Sequence, residues 1–423
     1  SDESRQTETV LSFMADNTTL HGARFLLGRN AVRRWLWTLA IFLCFGFCVY
    51  QVYVSMVEFA NYEFSTKITT KIPSKLENVS FPAVTLCNYN HFNLRRFENT
   101  ARKTFTTWSN EDVKRKLHIY KIMQTSHGRH IWSNKSSLES NPELTTRLRD
   151  NESHLDYQVL FSHRIEDMIL PSPPFKSCNI NGEACGPKDF KTFSNLAFGQ
   201  CFTFNSGQGH FKVRNATTEG QLNGLKLLLN IERDSYLDNP ISPFVGLTVL
   251  VHDQQMLPVM EQFGFAVQPG VRTLCNIKRK KIINLPKPYA TNCSDRNLHM
   301  LRNSSYKYSQ PACMLECLNK LFIKICSCRL LQYKDEDTLV CAPNDTLLCI
   351  FPVYETFGAS AEKKNCEESC QQPCTDTEYE TSLSYATLQK NGLINKLNSA
   401  ARTVKLYKHF LNKSESKKEK YLK

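Results

Sequence analysis

Hydrophobic and polar positions divide the chain into one long apolar run and a long mixed remainder. The run "WLWTLAIFLCFGFCVYQVYVSMV", residues 35–57, extends for 23 residues without a formal charge. About 20 apolar residues in a helix cross the roughly 30 Å hydrocarbon core of a bilayer. A signal peptide is the alternative, but its apolar core is about 7–15 residues long and leads to a cleavage site of small residues. The pattern therefore predicts a transmembrane helix over 35–57.

The charges that flank this run predict its orientation. Four arginines precede it and two glutamates follow it: Arg24, Arg29, Arg33 and Arg34, then Glu58 and Glu63. An excess of arginine on a short flank marks the cytoplasmic side. The sequence thus predicts a plasma-membrane protein with a cytosolic N-terminus and the bulk of the chain outside the cell.

Beyond the run, the pattern predicts a large ectodomain of mixed α+β class. The stretches "LNGLKLLLNI" and "PFVGLTVLVH" are ten residues each, too short to span, and predict buried strands. Short β-type runs alternate with turns between about 166 and 289, which indicates antiparallel sheets. A polar stretch follows Cys87 up to about residue 165, with helix-like pieces. Apolar residues at helical spacing in 393–411 predict a packed amphipathic helix.

The distribution of the 17 cysteines supports this orientation. Cys44 and Cys48 lie in the apolar run and the other 15 follow it. Disulfides persist outside the cell and are rare in the cytosol. Eight glycosylation sequons also follow the run: Asn78, Asn134, Asn151, Asn215, Asn292, Asn303, Asn344 and Asn412. The sequon at Asn17 precedes the run, so it is predicted to stay unmodified.

Cysteine spacing near the end of the chain predicts crosslinked helices. Cys313 and Cys317 are spaced i, i+4, as are Cys366 and Cys370 and then Cys370 and Cys374. That spacing places each pair on one helix face. Zinc is the alternative, but no CxxC pair has matching histidine or cysteine partners. The spacing indicates disulfides and leaves their connectivity open.

Charge and motifs exclude several function classes. The net charge of +13 would suit a nucleic-acid partner, but an extracellular, disulfide-rich chain argues against one. Residues 402–423 carry eight Lys or Arg against two Glu, which is typical of a solvated helix face. No nucleophile elbow, HExxH helix or phosphate-binding glycine loop occurs. The sequence predicts neither an enzyme nor a cofactor or metal site.

Several long motifs, in order along the chain, resemble those of the degenerin/epithelial sodium channel/acid-sensing ion channel superfamily. "LHG" at 20–22 resembles the family's cytosolic His-Gly gating motif, and "FPAVTLCNYN" from Phe81 resembles the signature after its first span. The motifs "CFTFNSG", "NGLKLLLNIERDSYL", "FGFAVQPG" and "ACMLECLNKLFIKICSCR" follow. The likeness extends from Leu20 to about Leu422.

The resemblance implies a trimer of identical or homologous subunits around an amiloride-sensitive, sodium-selective pore. Each subunit would carry a clenched-hand ectodomain on its transmembrane helix. The implied regions are a cytosolic N-terminus with His21 and Gly22 over 1–34, the first span 35–57, the palm start 58–95, the finger 96–165, palm and β-ball 166–292, the disulfide-stapled thumb 293–375, and palm and knuckle helix 376–423.

The resemblance also implies a disulfide pairing, which spacing alone does not give. The implied pairs are Cys87–Cys201, Cys178–Cys185, Cys293–Cys374, Cys313–Cys370, Cys317–Cys366, Cys326–Cys349 and Cys328–Cys341. Cys275 is left over and is expected to be a buried free thiol.

Two aromatic residues match the family's wrist, which passes thumb movement to the membrane helices. These are Tyr62, just after the apolar run, and Tyr289, where the family more often has Trp. Ordinary core aromatics are the alternative interpretation. Family subunits also have a second span with a Gly-x-Ser selectivity filter, which these residues do not include. We expect a truncated or partial channel subunit in preference to an anchored ectodomain.

The stimulus is predicted from departures from the acid-sensing pattern. Phe64 stands where those members place a histidine, and Thr69 and Thr70 stand at their acidic positions. The loop at 237–246 is short and poor in carboxylates, although three remain at 335–337. An extracellular ligand such as a short amidated neuropeptide is therefore favoured, with its pocket unknown. Proton gating, constitutive activity and a single-pass adhesion or receptor protein are the alternatives.

Overall fold

The computed structural model describes residues 13, 17, 30–70, 79–104, 109, 111, 113–114, 117, 161–170, 176–195, 198–217, 220–221, 223–237, 244–301, 305–330, 333, 338–341 and 345–389. The chain forms two compact units. Unit 1 comprises residues 1–69 with 286–292, and unit 2 comprises 70–285 with 293–423.

Unit 1 is built on helix α1, Ala31–Ala60. Of the described residues, only this helix is long and apolar enough to cross a membrane, and none of its residues is buried. The helix contains the predicted span 35–57 and extends beyond both of its ends. The short segment 286–292 makes two turns, because Tyr289 N–H donates to Pro286 O and Asn292 N–H donates to Tyr289 O.

A five-stranded antiparallel sheet lies in the middle of unit 2, in the order β4-β5-β1-β7-β8. Its strands are β1 Ala83–Asn88, β4 Phe190–Asn195, β5 Gly199–Phe204, β7 Leu247–His252 and β8 Phe265–Val267. Every residue of β1 is buried, because β5 and β7 flank it and other elements cover the sheet. Strand β7 is the predicted buried strand of "PFVGLTVLVH".

A small sheet packs against this core in the order β3-β2-β6. Its strands are β2 Cys178–Ile180, β3 Glu183–Ala184 and β6 Lys226–Leu227. The turn between β2 and β3 has positive φ at both Asn181 and Gly182, as tight hairpin turns require. The predicted strand in "LNGLKLLLNI" is only these two residues of β6, followed by a single bridge between Leu229 and Ile169.

Strands β9 Val271–Ile283 and β10 Thr375–Thr387 form a separate antiparallel ribbon. Their 13 residues pair in continuous register from Val271 opposite Thr387 to Ile283 opposite Thr375. Cys275 and Tyr379 on this ribbon pack against the core of the central sheet. The remainder is largely exposed.

The described part of unit 2 also contains six helices: α2 Leu94–Thr104, α3 Ile165–Met168, α4 Met260–Phe263, α5 Gln310–Cys326, α6 Phe351–Phe357 and α7 Ala361–Ser369. A π-helical turn, Thr346–Ile350, leads into α6, and 3₁₀ turns occupy Pro187–Asp189, Arg233–Ser235 and His299–Leu301. Serines cap α5 and α7: Ser309 Oγ accepts from Ala312 N–H and Ser360 Oγ from Lys363 N–H.

One prediction about the cysteine helices is wrong. Cys313 and Cys317 lie on α5 as expected, and Cys366 lies on α7 with Cys370 as its C-cap. Cys374 does not continue that helix, because α7 ends at Ser369 and the chain turns extended into β10. Pro373 would in any case keep the helix from reaching Cys374, since the residue before a proline disfavours helical geometry.

Several predictions fall outside the described residues. They concern His21 and Gly22, most of the polar stretch 96–165, the carboxylates at 335–337 and the amphipathic helix at 393–411. Six sequons lie there as well: Asn78, Asn134, Asn151, Asn303, Asn344 and Asn412.

Candidate gating site

Unit 1 brings together the two aromatic residues that the sequence singled out. The ring centroids of Tyr62 and Tyr289 lie 5.7 Å apart with an interplanar angle of 78°. This edge-to-face arrangement is one that aromatic quadrupoles favour. The ring centroid of Phe59 lies 6.3 Å from that of Tyr62. The residue that follows the end of α1 therefore contacts the segment 286–292 through an aromatic pair.

Local backbone geometry positions both rings. Helix α1 ends where Asn61 N–H donates to Val57 O and Tyr62 N–H donates to Phe59 O. Tyr62 then adopts a φ of 51°, a left-handed turn that breaks the helix directly below its ring. Tyr289 is held in the two consecutive turns of 286–292. Backbone hydrogen bonds thus fix the chain segment that carries each ring.

Seven disulfides occur among the described residues of unit 2, and they join the same pairs that the family resemblance implies. The Cys87–Cys201 disulfide joins two residues that lie directly opposite each other in β1 and β5. Cys313–Cys370 and Cys317–Cys366 connect α5 to α7 one helical turn apart, with Cα separations of 5.6 and 5.9 Å. The two helices are stapled side by side.

Three of the described cysteines are free, and one of them, Cys275, is the cysteine that the resemblance left without a partner. Cys44 and Cys48 lie on α1, and Cys275 lies on β9. Cys275 is half-buried against the sheet core, and burial raises the pKa of its thiol. A raised thiol pKa disfavours the reactive thiolate. Cys275 therefore packs the ribbon against the core of the central sheet.

Three positions after α1 that the resemblance singled out carry side chains that do not titrate. Phe64, Thr69 and Thr70 all lie exposed after α1. None of these side chains changes charge with pH. The stretch after the membrane helix therefore offers no proton-binding group at these three positions.

Two of the eight sequons after the apolar run are described, and they differ in access. Asn215 is exposed and sits at a bridge with Ser80. Asn292 is half-buried, has a φ of 40° and precedes the disulfide-bonded Cys293. Asn17, before the span, is exposed.

A buried histidine in the sheet was not singled out by the sequence. His252 Nδ1–H donates to Asp253 O at 2.8 Å, so Nε2 accepts from Thr85 Oγ1, also at 2.8 Å. Thr203 completes the chain at 2.8 Å from Thr85. Burial lowers the pKa of His252 to about 4, which keeps the imidazole neutral at physiological pH.

A second buried histidine lies where three chain segments meet. His163 Nδ1 lies 2.8 Å from Glu232 Oε2, which also accepts from Asn93 Nδ2 at 3.0 Å. These residues are separated by 69 and 139 positions in the sequence, and no motif connects them. Sequence reasoning missed the cluster for that reason. No group of side chains suited to a metal ion occurs among the described residues.

Comparison with known proteins places these features in a family. The family model described as amiloride-sensitive sodium channel matches residues 14–422. Acid-sensing ion channel 1C of Danio rerio is 28% identical over 88% of this chain and 68% of its own length. Acid-sensing ion channel 2 of Homo sapiens is 28% identical over 97% of this chain and 75% of its own length.

The chain belongs to the amiloride-sensitive sodium channel family, since the family model covers nearly all of it. Members of this family are ion channels of the plasma membrane and not enzymes. The β-sheet ectodomain, its disulfides and the apolar N-terminal helix fit that family. The sequence-based recognition of the superfamily is confirmed.

Proposed function

We propose that the chain is a subunit of a trimeric, sodium-selective channel whose ectodomain acts on the gate through Tyr62 and Tyr289. The observation that carries this proposal is the edge-to-face contact of these rings at 5.7 Å. Tyr62 directly follows the C-cap of the membrane helix, and Tyr289 lies four residues before Cys293, the first of the cysteines in the stapled region. Closed cyclic symmetry around a central pore satisfies every subunit interface.

The free energy of the contact is in a range that suits a gating element. An aromatic pair contributes about 0.5–1.5 kcal/mol beyond its buried area. If the contact is made in only one of the two states, that free energy changes the ratio of open to closed channels by roughly two- to tenfold, which biases a gate without locking it. The N-terminus with His21 and Gly22 is assigned to the cytosolic side and acts on the same gate. The residues after α1 are assigned to the extracellular side.

Regions of the ectodomain are assigned by the family resemblance. Helices α5 and α7 with their staples correspond to the thumb, and the central sheet with the β9–β10 ribbon corresponds to palm and β-ball. Residues 96–165 correspond to the finger, and 376–423 to palm and knuckle helix. In this assignment the stapled helices are the moving part whose displacement reaches Tyr289.

The stimulus assigned to this channel is a short amidated neuropeptide. Support comes from Phe64, Thr69 and Thr70, which replace titratable groups, and from the carboxylate-poor loop at 237–246. Such a ligand opens the channel only if it binds the open state more tightly than the closed one. Opening by protons is the second candidate, because the similar proteins of Danio rerio and Homo sapiens are acid-sensing ion channels by name.

Electrical recording from cells that express the subunit tests the stimulus. The expected result is an amiloride-sensitive sodium current on application of an amidated peptide from a panel. Acid steps from about pH 7.4 to about pH 5 should produce little current of their own. A large, fast current on acidification, with no response to any peptide, would replace the peptide with the proton.

A double-mutant cycle tests the aromatic contact itself. Tyr62→Ala and Tyr289→Ala should each shift the agonist concentration for half-maximal current, and the double variant should shift it no further than the larger single effect. Tyr62→Phe and Tyr289→Phe are the matched controls, because they keep both rings. Additive shifts in the alanine variants would show that the two rings act separately.

A further inference from the structure

One end of the central sheet carries three aromatic side chains in a row. The ring centroid of Tyr89 lies 6.3 Å from that of Phe198 and 6.4 Å from that of Phe244. Phe198 is 8% exposed and Tyr89 is half-buried, whereas Phe244 is 67% exposed. These three residues, which we call the aromatic row, therefore extend from the core to the surface of unit 2.

The sheet positions the aromatic row. Tyr89 directly follows β1, Phe198 directly precedes β5, and Phe244 lies three residues before β7. Because β5 and β7 both run antiparallel to β1, the end of β1 and the starts of its two neighbours meet at the same end of the sheet. Tyr89 N–H also donates to Gly246 O at 3.1 Å, which fixes the backbone beside Phe244.

A carboxylate lies next to the buried end of the aromatic row. Asn195 Nδ2 donates to Glu261 Oε1 at 2.9 Å, and Asn195 Oδ1 accepts from Phe198 N–H at 2.9 Å. Glu261 lies on α4, whose Met260 packs with Phe198 in one buried cluster. Glu261 itself is exposed, and it forms no ion pair among the described residues. The same surface thus carries an exposed ring and an exposed carboxylate.

These two groups are complementary to a particular ligand chemistry. A single exposed ring is common on protein surfaces, so the nearby carboxylate is the second observation that points to a ligand. The exposed ring of Phe244 can pair with a second aromatic ring in an offset or edge-to-face arrangement. A carboxylate such as that of Glu261 binds a guanidinium through charge-assisted hydrogen bonds. A short peptide that carries both an aromatic residue and an arginine presents both partners.

We propose that the aromatic row and Glu261 form the binding site for a short amidated peptide with one aromatic and one arginine side chain. The ligand ring packs on Phe244 and Tyr89, and its guanidinium pairs with Glu261. Amidation removes the negative charge of the peptide's C-terminus, which Glu261 would otherwise repel. This inference rests on the proposed function, in which such a peptide opens the channel, and it names the site that the peptide occupies.

Calorimetric titration of the full chain in detergent micelles with the amidated tetrapeptide Gly-Leu-Arg-Phe measures the dissociation constant without requiring a current. Phe244→Ala should weaken binding about fivefold and Glu261→Gln about threefold. Both side chains are exposed, so neither change removes core packing. Tyr385→Ala and Glu378→Gln are matched controls, because they remove an exposed ring and an exposed carboxylate from β10 and should leave the dissociation constant unchanged.

Altered peptides test the same contacts without changing the chain. Citrulline in place of the ligand's arginine keeps its shape but removes its charge. This peptide should bind the wild-type chain about threefold more weakly, with no further loss in Glu261→Gln. Leucine in place of the ligand's phenylalanine should weaken binding more in the wild-type chain than in Phe244→Ala. Additive losses in both pairs would overturn the proposal.

Three further outcomes separate this site from the proposed stimulus. A peptide that evokes a current but binds equally to the wild-type chain, Phe244→Ala and Glu261→Gln would overturn the site and leave peptide gating intact. The absence of both binding and current with every amidated peptide would overturn both proposals. A lower mass of the detergent-solubilised assembly in Phe244→Ala would identify the aromatic row as a contact with a second copy of the chain, which also overturns the site.

Discussion

The central sheet and the stapled helices of unit 2 are stabilised in different ways. The sheet buries all six residues of β1, and Phe202 and Phe204 beside it are 2% and 1% exposed. Its disulfide, Cys87–Cys201, crosses strands that the ladder already pairs. By contrast, Cys366 is the only residue within α7 that is buried. Burial and backbone hydrogen bonds hold the sheet, whereas crosslinks hold α7.

This contrast follows from the sequences of the two regions. The strand "AVTLCN" is apolar enough to be covered on both faces, but the helix "AEKKNCEES" has no apolar stripe to dock. Helix α5 has such a stripe, and Phe322 in it is fully buried. A polar helix can still be fixed in place where disulfides are stable, because crosslinks restrict the unfolded chain. The helices should thus be more sensitive to reduction than the sheet, and the buried His252 makes the sheet sensitive to acid.

The largest expected effect comes from removing both staples between α5 and α7. Cys313→Ala with Cys370→Ala should cost about 2 kcal/mol, because Cys317–Cys366 remains one turn away. Removing both pairs should lower the free energy of unfolding by about 5 kcal/mol, which is more than the sum of the losses when each pair is removed alone. Denaturant unfolding measures the free energies, and trypsin cleavage after Lys364 in α7 reports the local loss.

The same variants test the comparison. Peptides from β1, β5 and β7 should keep their hydrogen-exchange protection while α7 becomes cleavable. If α7 stays protected after both staples are removed, contacts of its polar side chains hold it in place, and the proposed dependence of α7 on crosslinks is wrong. Non-reducing peptide mapping checks the starting point, since Cys313 joined to Cys366 would contradict the pairing.

An intermediate effect is expected from acid on the sheet, through His252. Because burial lowers its pKa to about 4 while the unfolded value is about 6.5, the unfolded state binds the proton first as the pH falls. Stability should be complete above about pH 6.5 and be lost progressively toward about pH 4. The loss from this residue should be roughly 2 kcal/mol at about pH 5. Urea unfolding over this pH range measures it.

His252→Gln should flatten the pH dependence by that amount, although it lowers stability at every pH. The exposed His210 offers a matched control, and His210→Gln should leave the slope unchanged. An unchanged slope in His252→Gln would show that other groups make the sheet sensitive to acid.

The smallest effect is expected from the disulfide Cys178–Cys185, which lies in the small sheet. Its residues are only seven positions apart, and the Asn181–Gly182 turn already brings β2 and β3 together. Replacing both cysteines by Ala should cost less than about 2 kcal/mol. A cost equal to that of removing both staples would break the comparison, because it would make crosslinks as important to the sheets as to the helices.

Sequence patterns predicted the parts of the fold that local signals encode. A charge-free run predicted helix α1, a short apolar run predicted β7, and i, i+4 cysteines predicted α5 and the end of α7. The pairing of the cysteines needed the family resemblance, because many connectivities fit the same spacings. Cys374 was misplaced because the spacing rule ignored Pro373, which directly precedes it.

The rest depended on contacts between distant residues. No periodicity predicts that Glu232, in a left-handed turn, meets His163 across 69 positions. The burial of His252 depends on Thr85 in another strand, 167 positions away. Tyr62 and Tyr289 were found only because a family motif marked both. Local patterns specify elements, whereas these sites arise when the elements pack.

The continuous register of the β9–β10 ribbon has a consequence for how the ribbon can move. Thirteen continuous pairs extend over about 40 Å, and a slip of one residue would move every side chain to the opposite face. The two strands therefore cannot slide past each other in small steps and must travel as one stiff strut. The Cys293–Cys374 disulfide is attached at one end of this strut, directly before Thr375. We expect a push at that disulfide to act on Thr375 and on Ile283, which lies opposite it, and so to move both strands together.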